Sequence, residues 1–415
     1  MRVAIVDADG IGRYLPAALG RLGLESIHVR SDAPNPQLAR RPDILVQLHH
    51  GGDLAATTAA LRSYDVGFVV AGTESGVLLA DALSQSLGTP GNGMSRPLAR
   101  RDKYEMARAV RDAGLRAAPT IATADLAELL AWRERLGEWP VVLKPPASAG
   151  TDNVLFCHTA AEIAAGFTTI MGALDRYDRH NTAVVAQAYL HGEEFFVNTV
   201  SRDGAHHVVE VWRYSKRMID GHPMYDYEEP VPPAEPAVAI VADYVLAVLD
   251  ALEIRNGAAH TEVILTADGP VLVESAARCG GSHEPDIVSG CLGTDQIECL
   301  ALAIAAPQDL IDGRLPSYRP RTRLRYVTLI SPSGGQVPSA ERLASLRALP
   351  SFLDVVLTAP EGAALRPTVD LGSSPGYVYL SSPDPAEIDA DYRRLRALEA
   401  TGLYGPAALS PSHSS

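Results

Sequence analysis

The strongest constraint on the fold is an alternation of short apolar segments with helix-like segments at the start of the chain. The apolar segments are rich in β-branched residues, and the segment between the first two has the spacing of an amphipathic helix. The pattern is carried by RVAIVDA, LPAALGRLGL, SIHV, DILVQL and YDVGFVVAG. Strands that alternate with helices are typical of a mostly parallel sheet covered by helices. We therefore predict an α/β domain over residues 1–95.

The first turn of this domain contains two glycines that resemble part of a dinucleotide-binding loop. Gly10 and Gly12 match the first two positions of GxGxxG, but Leu15 holds the third. The acidic residue that should meet a ribose about 20 residues later has no persuasive counterpart. We interpret the turn as structural, and a nicotinamide-dependent dehydrogenase is not favoured.

The chain is too long for one ordinary core, because its 415 residues correspond to two to four packed units. Glycine and proline break the first pattern near residue 95, and a helix begins near Asp102. Antiparallel strands follow, and the last part combines three strands with a closing helix. We predict further divisions at 96–190, 191–312 and 313–415, so that the whole chain is α/β and α+β.

Composition excludes several classes of function. The formal net charge is −14 with dispersed acidic residues, so the chain lacks the basic patches that nucleic-acid binding requires. No apolar stretch is long enough to span a bilayer, and the start does not resemble a secretory signal, so we expect a cytoplasmic protein without a membrane partner. The four cysteines have no CxxC spacing, so we expect reduced thiols rather than a disulfide framework.

The stretch VVLKPPASAGTDNV places one lysine at the end of an apolar strand and before a loop of small residues. A Walker A loop has its lysine after the loop, so that phosphate site is excluded. Lys144 can instead reach phosphate oxygens as a point charge while amides of the loop, which includes Ser148, close over them. A lysine that leaves a strand before an ordinary hairpin loop is the alternative.

Two carboxylates are predicted to face each other on paired strands. In HTEVIL, His260 and Glu262 share one face, and the tight turn ADG returns Glu274 beside Glu262. Like charges at this distance require a bound cation or a proton, and oxygen ligands of this kind suit Mg²⁺ carrying nucleotide phosphates. Arg278 follows, where it can balance charge on a reacting group. A structural ion pair between Glu274 and Arg278 is the alternative.

Together these motifs resemble the ATP-grasp superfamily, and within it the carboxylate-amine ligases related to L-amino-acid (dipeptide) ligases. The likeness extends over nearly the whole chain, from AGTESGVLLADALSQSLGTPGN and RRDKYEM to the metal strands and the C-terminal GYVYLSSPDPAEIDADYRRLRALE. It implies an ATP-grasp fold with an N-terminal Rossmann-like domain, two lobes that clasp ATP, and a C-terminal α+β subdomain.

The resemblance implies roles for individual residues. Glu262 and Glu274 would be Mg²⁺ ligands, and Arg278 would stabilise the reacting groups. Ala276 departs from the pattern, because most members carry asparagine there, and the missing amide removes one expected ligand of a second Mg²⁺ ion. The implied ATP contacts are Lys103, Lys144, Ser148 in the phosphate-covering loop, Gln187, Tyr189, Leu190 and Glu194.

The substrate side of the predicted site is less constrained. Gly280 and Gly281 would let backbone approach a substrate carboxylate before a helix, and Glu284 would meet a substrate ammonium or cap that helix. His260 is either a base for the amine or a polar neighbour of the metal. The segment WRYSKRMIDGHPMYDYEEP resembles a substrate-covering loop, with Lys216 as a carboxylate or phosphate contact.

The resemblance implies an ATP-dependent ligase that joins a small-molecule carboxylate to an amine through an acyl phosphate and releases ADP and phosphate. A purine-biosynthesis or carboxylase-type ATP-grasp enzyme and a non-catalytic nucleotide-binding protein are the alternatives. The family also makes a homodimer possible.

Overall fold

A computed structural model describes residues 1–31, 43–147, 153–175, 179–219, 222–281 and 283–405. Contacts divide the chain into two compact units. The first unit consists of Met1–Val211 and Pro232–Arg319, and the second of Trp212–Val231 and Pro320–Ser415. The finer division at residues 95, 190 and 312 stays a prediction.

The N-terminal part of the first unit is a four-stranded parallel sheet in the order β3-β2-β1-β4, as the α/β pattern predicts. Its elements are β1 (Arg2–Val6), α1 (Leu15–Arg21), β2 (Glu25–Arg30), β3 (Val46–His49), α2 (Leu54–Arg62), β4 (Val66–Ala71) and α3 (Val77–Leu87). Strand β1 is buried because its neighbours β2 and β4 lie on both sides. A short 3₁₀ helix over Gly10–Tyr14 forms the first turn.

A second sheet follows in the same unit and is antiparallel, in the order β5-β8-β6-β7. Its elements are α4 (Lys103–Asp112), β5 (Thr120–Thr123), α5 (Leu126–Leu136), β6 (Val141–Lys144), β7 (Leu155–Cys157), α6 (Ala160–Ile170) and β8 (Val184–Ala188). Asp102 caps α4 by accepting hydrogen bonds from two backbone amides, which fixes the helix start predicted from the sequence.

The third sheet of the first unit has the order β13-β12-β9-β10. The elements of this stretch of chain are β9 (Glu193–Arg202), β10 (Ala205–Ile219), β11 (His222–Pro230), α7 (Pro236–Ala251), β12 (Gly257–Thr266), β13 (Gly269–Ala276), α8 (Pro285–Leu292), α9 (Gln296–Ala305) and α10 (Pro307–Ile311). Strands β12 and β13 are antiparallel and joined by a tight turn, as predicted. Strand β11 and the second half of β10 belong to the second unit.

The second unit contains a sheet in the order β10-β11-β14-β18-β16 and a small pair β15-β17. Its remaining elements are β14 (Arg323–Thr328), β15 (Gly335–Gln336), α11 (Ala340–Arg347), β16 (Phe352–Leu357), β17 (Ala364–Leu365), β18 (Gly376–Ser382) and α12 (Pro385–Thr401). The predicted α+β character is confirmed. The segment expected to be a substrate-covering loop instead forms part of the antiparallel strands β10 and β11, in which Arg213 is the partner of Glu229 and Lys216 the partner of Tyr225.

Helices α8 and α9 are apolar because they pack in the core of the first unit. In the part of the chain that the structure describes, no single helix meets the length and hydropathy of a membrane span, and only this pair, bent by 91°, meets them jointly. Ile297, Leu300 and Ile304 of α9 belong to a buried cluster with Leu15 and Leu19 of α1. Burial of these side chains explains the apolar composition of α9.

A buried arginine connects distant parts of the first unit. Arg100 is fully buried, and its guanidinium donates to Asp81 Oδ2 at 2.8 Å and to the carbonyl oxygens of Leu252 and Gly93 at 3.0 and 2.6 Å. Burial raises the pKa of Asp81, and the Arg100 charge opposes that rise. The arginine therefore compensates one buried carboxylate and two carbonyl groups at once.

Replacing Arg100 by methionine should lower the free energy of unfolding by about 3 to 5 kcal/mol, because it leaves Asp81 buried without its cation. Denaturant unfolding followed by fluorescence measures the change. Arg314→Met is the matched control, because Arg314 forms its ion pairs with Asp309 and Asp312 at the surface. Equal unfolding curves for the two variants would contradict this role for Arg100.

Candidate active site

The predicted carboxylate pair lies on one face of the third sheet. Glu262 on β12 and Glu274 on β13 are direct partners in the register, and both side chains are about a fifth to a quarter exposed. His260 lies two residues before Glu262 on the same face, with Nε2 3.5 Å from Glu262 Oε1. Ala276 is the partner of His260 in the register, so the position where asparagine was expected presents only a methyl group.

Lys103 brings a positive charge to this pair. It is the first residue of α4, and its Nζ donates to Glu274 Oε1 at 2.9 Å. Its backbone amide donates to the Pro146 carbonyl at 2.9 Å, which ties the start of α4 to the segment after β6. The observed partner of Glu274 is therefore Lys103, and not Arg278 as in the alternative considered from the sequence.

Lys144 ends strand β6 and is 5% exposed. Its Nζ donates to Gln187 Oε1 on the neighbouring strand β8 at 2.9 Å. Burial and the Lys103 ammonium lower the pKa of Lys144 to about 8, against the opposing influence of Glu274, Glu262 and Glu194. The second lysine therefore lies in the same electrostatic environment as the carboxylate pair.

The residues expected to frame a nucleotide base follow Gln187 along the chain. Tyr189 and Leu190 are half-buried after β8, and the Tyr189 ring contacts those of Phe156 and His191 edge-on. Glu194 is the second residue of β9, where the strand alternation places it on the same face as Glu262. Ser148 and the rest of its loop lie outside the described residues.

Arg278 is held by an ion pair with the N-terminal domain. Its Nε donates to Glu74 Oε2 at 3.0 Å, and the other Glu74 oxygen accepts a short hydrogen bond from Arg101. Arg101 also donates to the Ala147 carbonyl at 3.0 Å. Burial raises the pKa of Glu74, but Arg278 and Arg101 outweigh burial and hold that pKa below its usual value. Glu74 therefore orients Arg278. Through Arg101, it also connects Arg278 to Ala147, the residue before the predicted phosphate loop.

The predicted substrate residues have different surroundings. The amide of Gly280 donates to Gln296 Oε1 at 2.7 Å, and Gly281 is exposed. Both carboxylate oxygens of Glu284 are engaged by Arg13 and Tyr14, so a substrate ammonium would compete with these contacts. Lys216 belongs to the second unit, where its Nζ lies 4.5 Å from the centroid of the Tyr225 ring. The roles of these residues stay predictions.

The donor set fits Mg²⁺ in part. Within the described ranges, no group of three or more His, Cys, Asp or Glu side chains is arranged to hold a metal ion. Glu262 and Glu274 nevertheless supply two facing carboxylates, and Mg²⁺ is commonly held by one or two carboxylates with phosphate and water as further ligands. The 2.9 Å contact from Lys103 places one cation against this pair of carboxylates.

Sequence reasoning missed Glu74, Arg101 and Asn198. Glu74 and Arg278 are 204 residues apart, and no periodicity connects them. Asn198, which is 3% exposed, is a polar residue within the apolar strand β9. A lone polar residue in such a strand is a usable signal, because a buried polar group needs a partner.

Family models match two parts of the chain. A model described as ATP-grasp domain matches residues 137–286, and one described as L-amino acid ligase C-terminal domain 2 matches residues 327–398. The first range contains Lys144, Glu262, Glu274 and Arg278. The second lies in the second compact unit.

Whole-chain relatives agree with these matches. Dapdiamide A synthase from Enterobacter agglomerans is 32% identical over 408 residues, which is 96% of each chain. An L-arginine-specific L-amino acid ligase from Bacillus subtilis is 25% identical over 214 residues, 51% of each chain.

Solved structures share the fold. An L-amino acid ligase from Bacillus licheniformis has a TM-score of 0.75 at 20% identity and covers 95% of this chain and 97% of its own. An N5-carboxyaminoimidazole synthase from Aspergillus clavatus has a TM-score of 0.68 at 15% identity and covers 96% and 98%. The fold, the two family matches and the relative that covers the whole length agree, and the chain belongs to the ATP-grasp carboxylate-amine ligases, the enzymes that include the L-amino acid ligases.

Proposed function

We propose that this ligase joins an amino-acid-like carboxylate to an amine through an acyl phosphate. A carboxylate oxygen attacks the γ-phosphorus of ATP and ADP leaves. The amine nitrogen then attacks the acyl carbon, the carbon-oxygen bond to phosphate breaks, and the nitrogen gives up a proton to leave an amide. Since one relative is named for dapdiamide A and another for L-arginine ligation, the proposed products are amides or dipeptides of amino acids.

The observation that carries this proposal is the convergence of two buried lysines on the facing carboxylates. Lys103 and Lys144 can neutralise triphosphate oxygens as point charges. Glu262 and Glu274 would hold Mg²⁺, which when bound neutralises charge on the phosphates. Gln187, which holds the Lys144 ammonium, orients that charge. The adenosine part would lie against Tyr189, Leu190 and Glu194, and Ser148 would belong to the loop over the phosphates.

Arg278 is proposed to stabilise the tetrahedral stage of the second step. Its guanidinium is fixed by Glu74, so little reorganisation is needed when negative charge develops on the acyl oxygen. The backbone at Gly280 and Gly281 would bind the substrate carboxylate. The remaining predicted contacts, Glu284 and Lys216, and a homodimeric state belong to the same proposal.

A purine-biosynthesis type of ATP-grasp reaction is the second candidate, since carboxyaminoimidazole synthases share the fold. The C-terminal match favours the amino acid ligation instead, because it covers residues 327–398 with an L-amino acid ligase domain. A cytoplasmic setting, where ATP and amino acids are available, is part of the proposal.

The reaction is tested by phosphate release with ATP and Mg²⁺ across pairs of amino acids, other carboxylates and amines, with products identified by mass spectrometry. We expect one pair to give ADP, phosphate and an amide in equal amounts. A carboxylate labelled with ¹⁸O should transfer one labelled oxygen to phosphate, because the bridging oxygen of an acyl phosphate comes from the acid. Glu274→Ala provides the blank.

AMP with pyrophosphate, or phosphate without the label, would contradict the acyl phosphate. Bound ATP without turnover across the panel would instead favour a non-catalytic role. Product formation only from bicarbonate and an amine would favour the carboxylase-type candidate.

ATP affinity should fall as pH rises through the pKa of Lys144. That pKa is about 8 in the free protein, so about half of the molecules lack this charge at pH 8. Phosphate oxygens favour the charged lysine, so ATP binding at pH 8 should take up a fraction of a proton. Calorimetry in buffers with different ionisation enthalpies measures the uptake.

Lys144→Arg is the matched control, because arginine stays charged throughout this range. The variant should bind ATP with less proton uptake and with a flatter affinity between about pH 7.5 and pH 9.5. Equal proton uptake by wild type and variant would exclude Lys144 as the titrating group.

Glu74→Gln should lower kcat by about 10- to 100-fold, as removal of an outer partner of a functional side chain commonly does. The amide keeps the size of the side chain but removes the charge that faces Arg278 and Arg101. Steady-state kinetics measure the change. Glu25→Gln is the control, since Glu25 forms an exposed pair with Arg2 in the same domain. An unchanged kcat in Glu74→Gln would contradict the orienting role.

A further inference from the structure

Three polar side chains form a hydrogen-bonded chain beside the carboxylate pair. His260 Nδ1 lies 2.8 Å from Asn198 Oδ1, and Asn198 Nδ2 donates to Glu210 Oε1 at 2.7 Å. Asn198 and Glu210 are each 3% exposed, and the His260 side chain is 13% exposed. We call His260, Asn198 and Glu210 the His260 network. Its members come from the three adjacent strands β12, β9 and β10, so the sheet itself sets their spacing.

The partners of Asn198 determine the direction of each hydrogen bond. The Glu210 carboxylate only accepts, so the amide nitrogen of Asn198 faces Glu210 and its oxygen faces His260. An amide oxygen also only accepts, so Nδ1 of His260 carries the hydrogen. The other ring nitrogen, Nε2, is the one directed toward Glu262, at 3.5 Å from Oε1.

Gly280 packs directly on this network. A Cβ atom at position 280 would lie 2.8 Å from Asn198 Oδ1 and 2.9 Å from His260 Nδ1, which is closer than such atoms approach. Any larger residue would therefore displace the Asn198–His260 hydrogen bond. The absence of a side chain at position 280 lets the segment after Arg278 rest on the ring and the amide.

Gln296 holds that segment in place. Its Oε1 accepts from the Gly280 amide at 2.7 Å, and its Nε2 donates to the carbonyls of Thr199 and Ala259 at 2.9 Å. Thr199 and Ala259 are partners in the register next to the pair Asn198 and His260. The segment after Arg278 and the His260 network are thus fixed to the same strand pair.

We propose that Asn198 and Glu210 are positioning residues of the ligase, which act through His260. Glu210 sets the amide orientation of Asn198, Asn198 sets which nitrogen of His260 carries the hydrogen, and the ring then presents Nε2 to Glu262. Because Gly280 has no side chain, the segment after Arg278 can lie close to Asn198 and His260 without displacing them. The inference rests on the proposed function, because His260 lies beside the proposed metal ligand and next to the proposed carboxylate site.

A purely structural role for the network is the competing explanation, since buried polar groups also need partners for stability. The two explanations differ in what His260 transmits. A structural network lowers stability when it is broken, whether or not His260 is present. A positioning network changes the His260 ring, and it affects turnover only while that ring is present.

The tautomer of His260 provides a direct test. In ¹⁵N–¹H spectra of histidine-labelled protein, with His260→Gln used to assign the signal, His260 should carry its hydrogen on Nδ1. Asn198→Leu removes the acceptor with little change in size, and the hydrogen should move toward Nε2. An unchanged tautomer in this variant would overturn the inference, regardless of activity.

Kinetics test the consequence for the reaction. Asn198→Leu should lower kcat by about 10- to 100-fold with little change in KM for ATP. In a His260→Ala background the same substitution should cause no further loss of kcat, because the two substitutions remove the same function. Glu210→Gln should retain most of the activity, because the glutamine oxygen still accepts from Asn198. An equal loss in both backgrounds would overturn the positioning role.

Ser201→Ala is the matched control. Ser201 lies on the same strand β9, is 1% exposed, and its hydroxyl forms a 2.7 Å hydrogen bond with His206 Nδ1. The Ser201→Ala variant should leave both kcat and the His260 tautomer unchanged.

If Asn198→Leu does not fold, Glu210→Leu is measured in its place, because loss of the Glu210 carboxylate frees the Asn198 amide to rotate. A wild-type chain that ligates no pair in the panel would contradict the proposed function, while the tautomer still tests the network.

Discussion

The site depends on two carboxylates that are placed opposite each other. Glu262 and Glu274 are direct partners on β12 and β13, where like charges repel and destabilise the strand pair. The surrounding structure offsets this repulsion with cations, of which Lys103 already contacts Glu274. A strand pair with two facing carboxylates is therefore stabilised by any cation that lies against it.

Burial changes the electrostatic properties of the two lysines beside the carboxylate pair. Lys144 is 5% exposed and close to a second lysine, so its charged form is disfavoured and its pKa falls to about 8. The same low-dielectric surroundings strengthen any interaction with a triphosphate. In the free protein, Glu274, Glu262 and Glu194 offset only part of this effect on the pKa of Lys144.

Local patterns determined what the sequence could predict. The pairing of Glu262 with Glu274 follows from strand alternation and one tight turn, and the helix start at Asp102 follows from its capping side chain. Contacts between distant segments could not be predicted in this way. Glu74 reaches Arg278 across 204 residues, because the N-terminal sheet and the third sheet pack together in a manner that no periodicity encodes. The end of β10 and the whole of β11 were missed, because their charged residues obscure the alternation.

Arg278 depends on contacts from two directions. Glu74 neutralises its guanidinium from the N-terminal sheet, while Gly280 and Gln296 fix the following backbone to strands β9 and β12. In the proposed reaction, a charge that stabilises a short-lived tetrahedral group has to be oriented before the group forms, because reorganisation during the reaction raises the barrier. Contacts from both directions restrict the orientation more than either set alone. This explains why a residue without a side chain is required at position 280, directly beside a histidine ring and an amide.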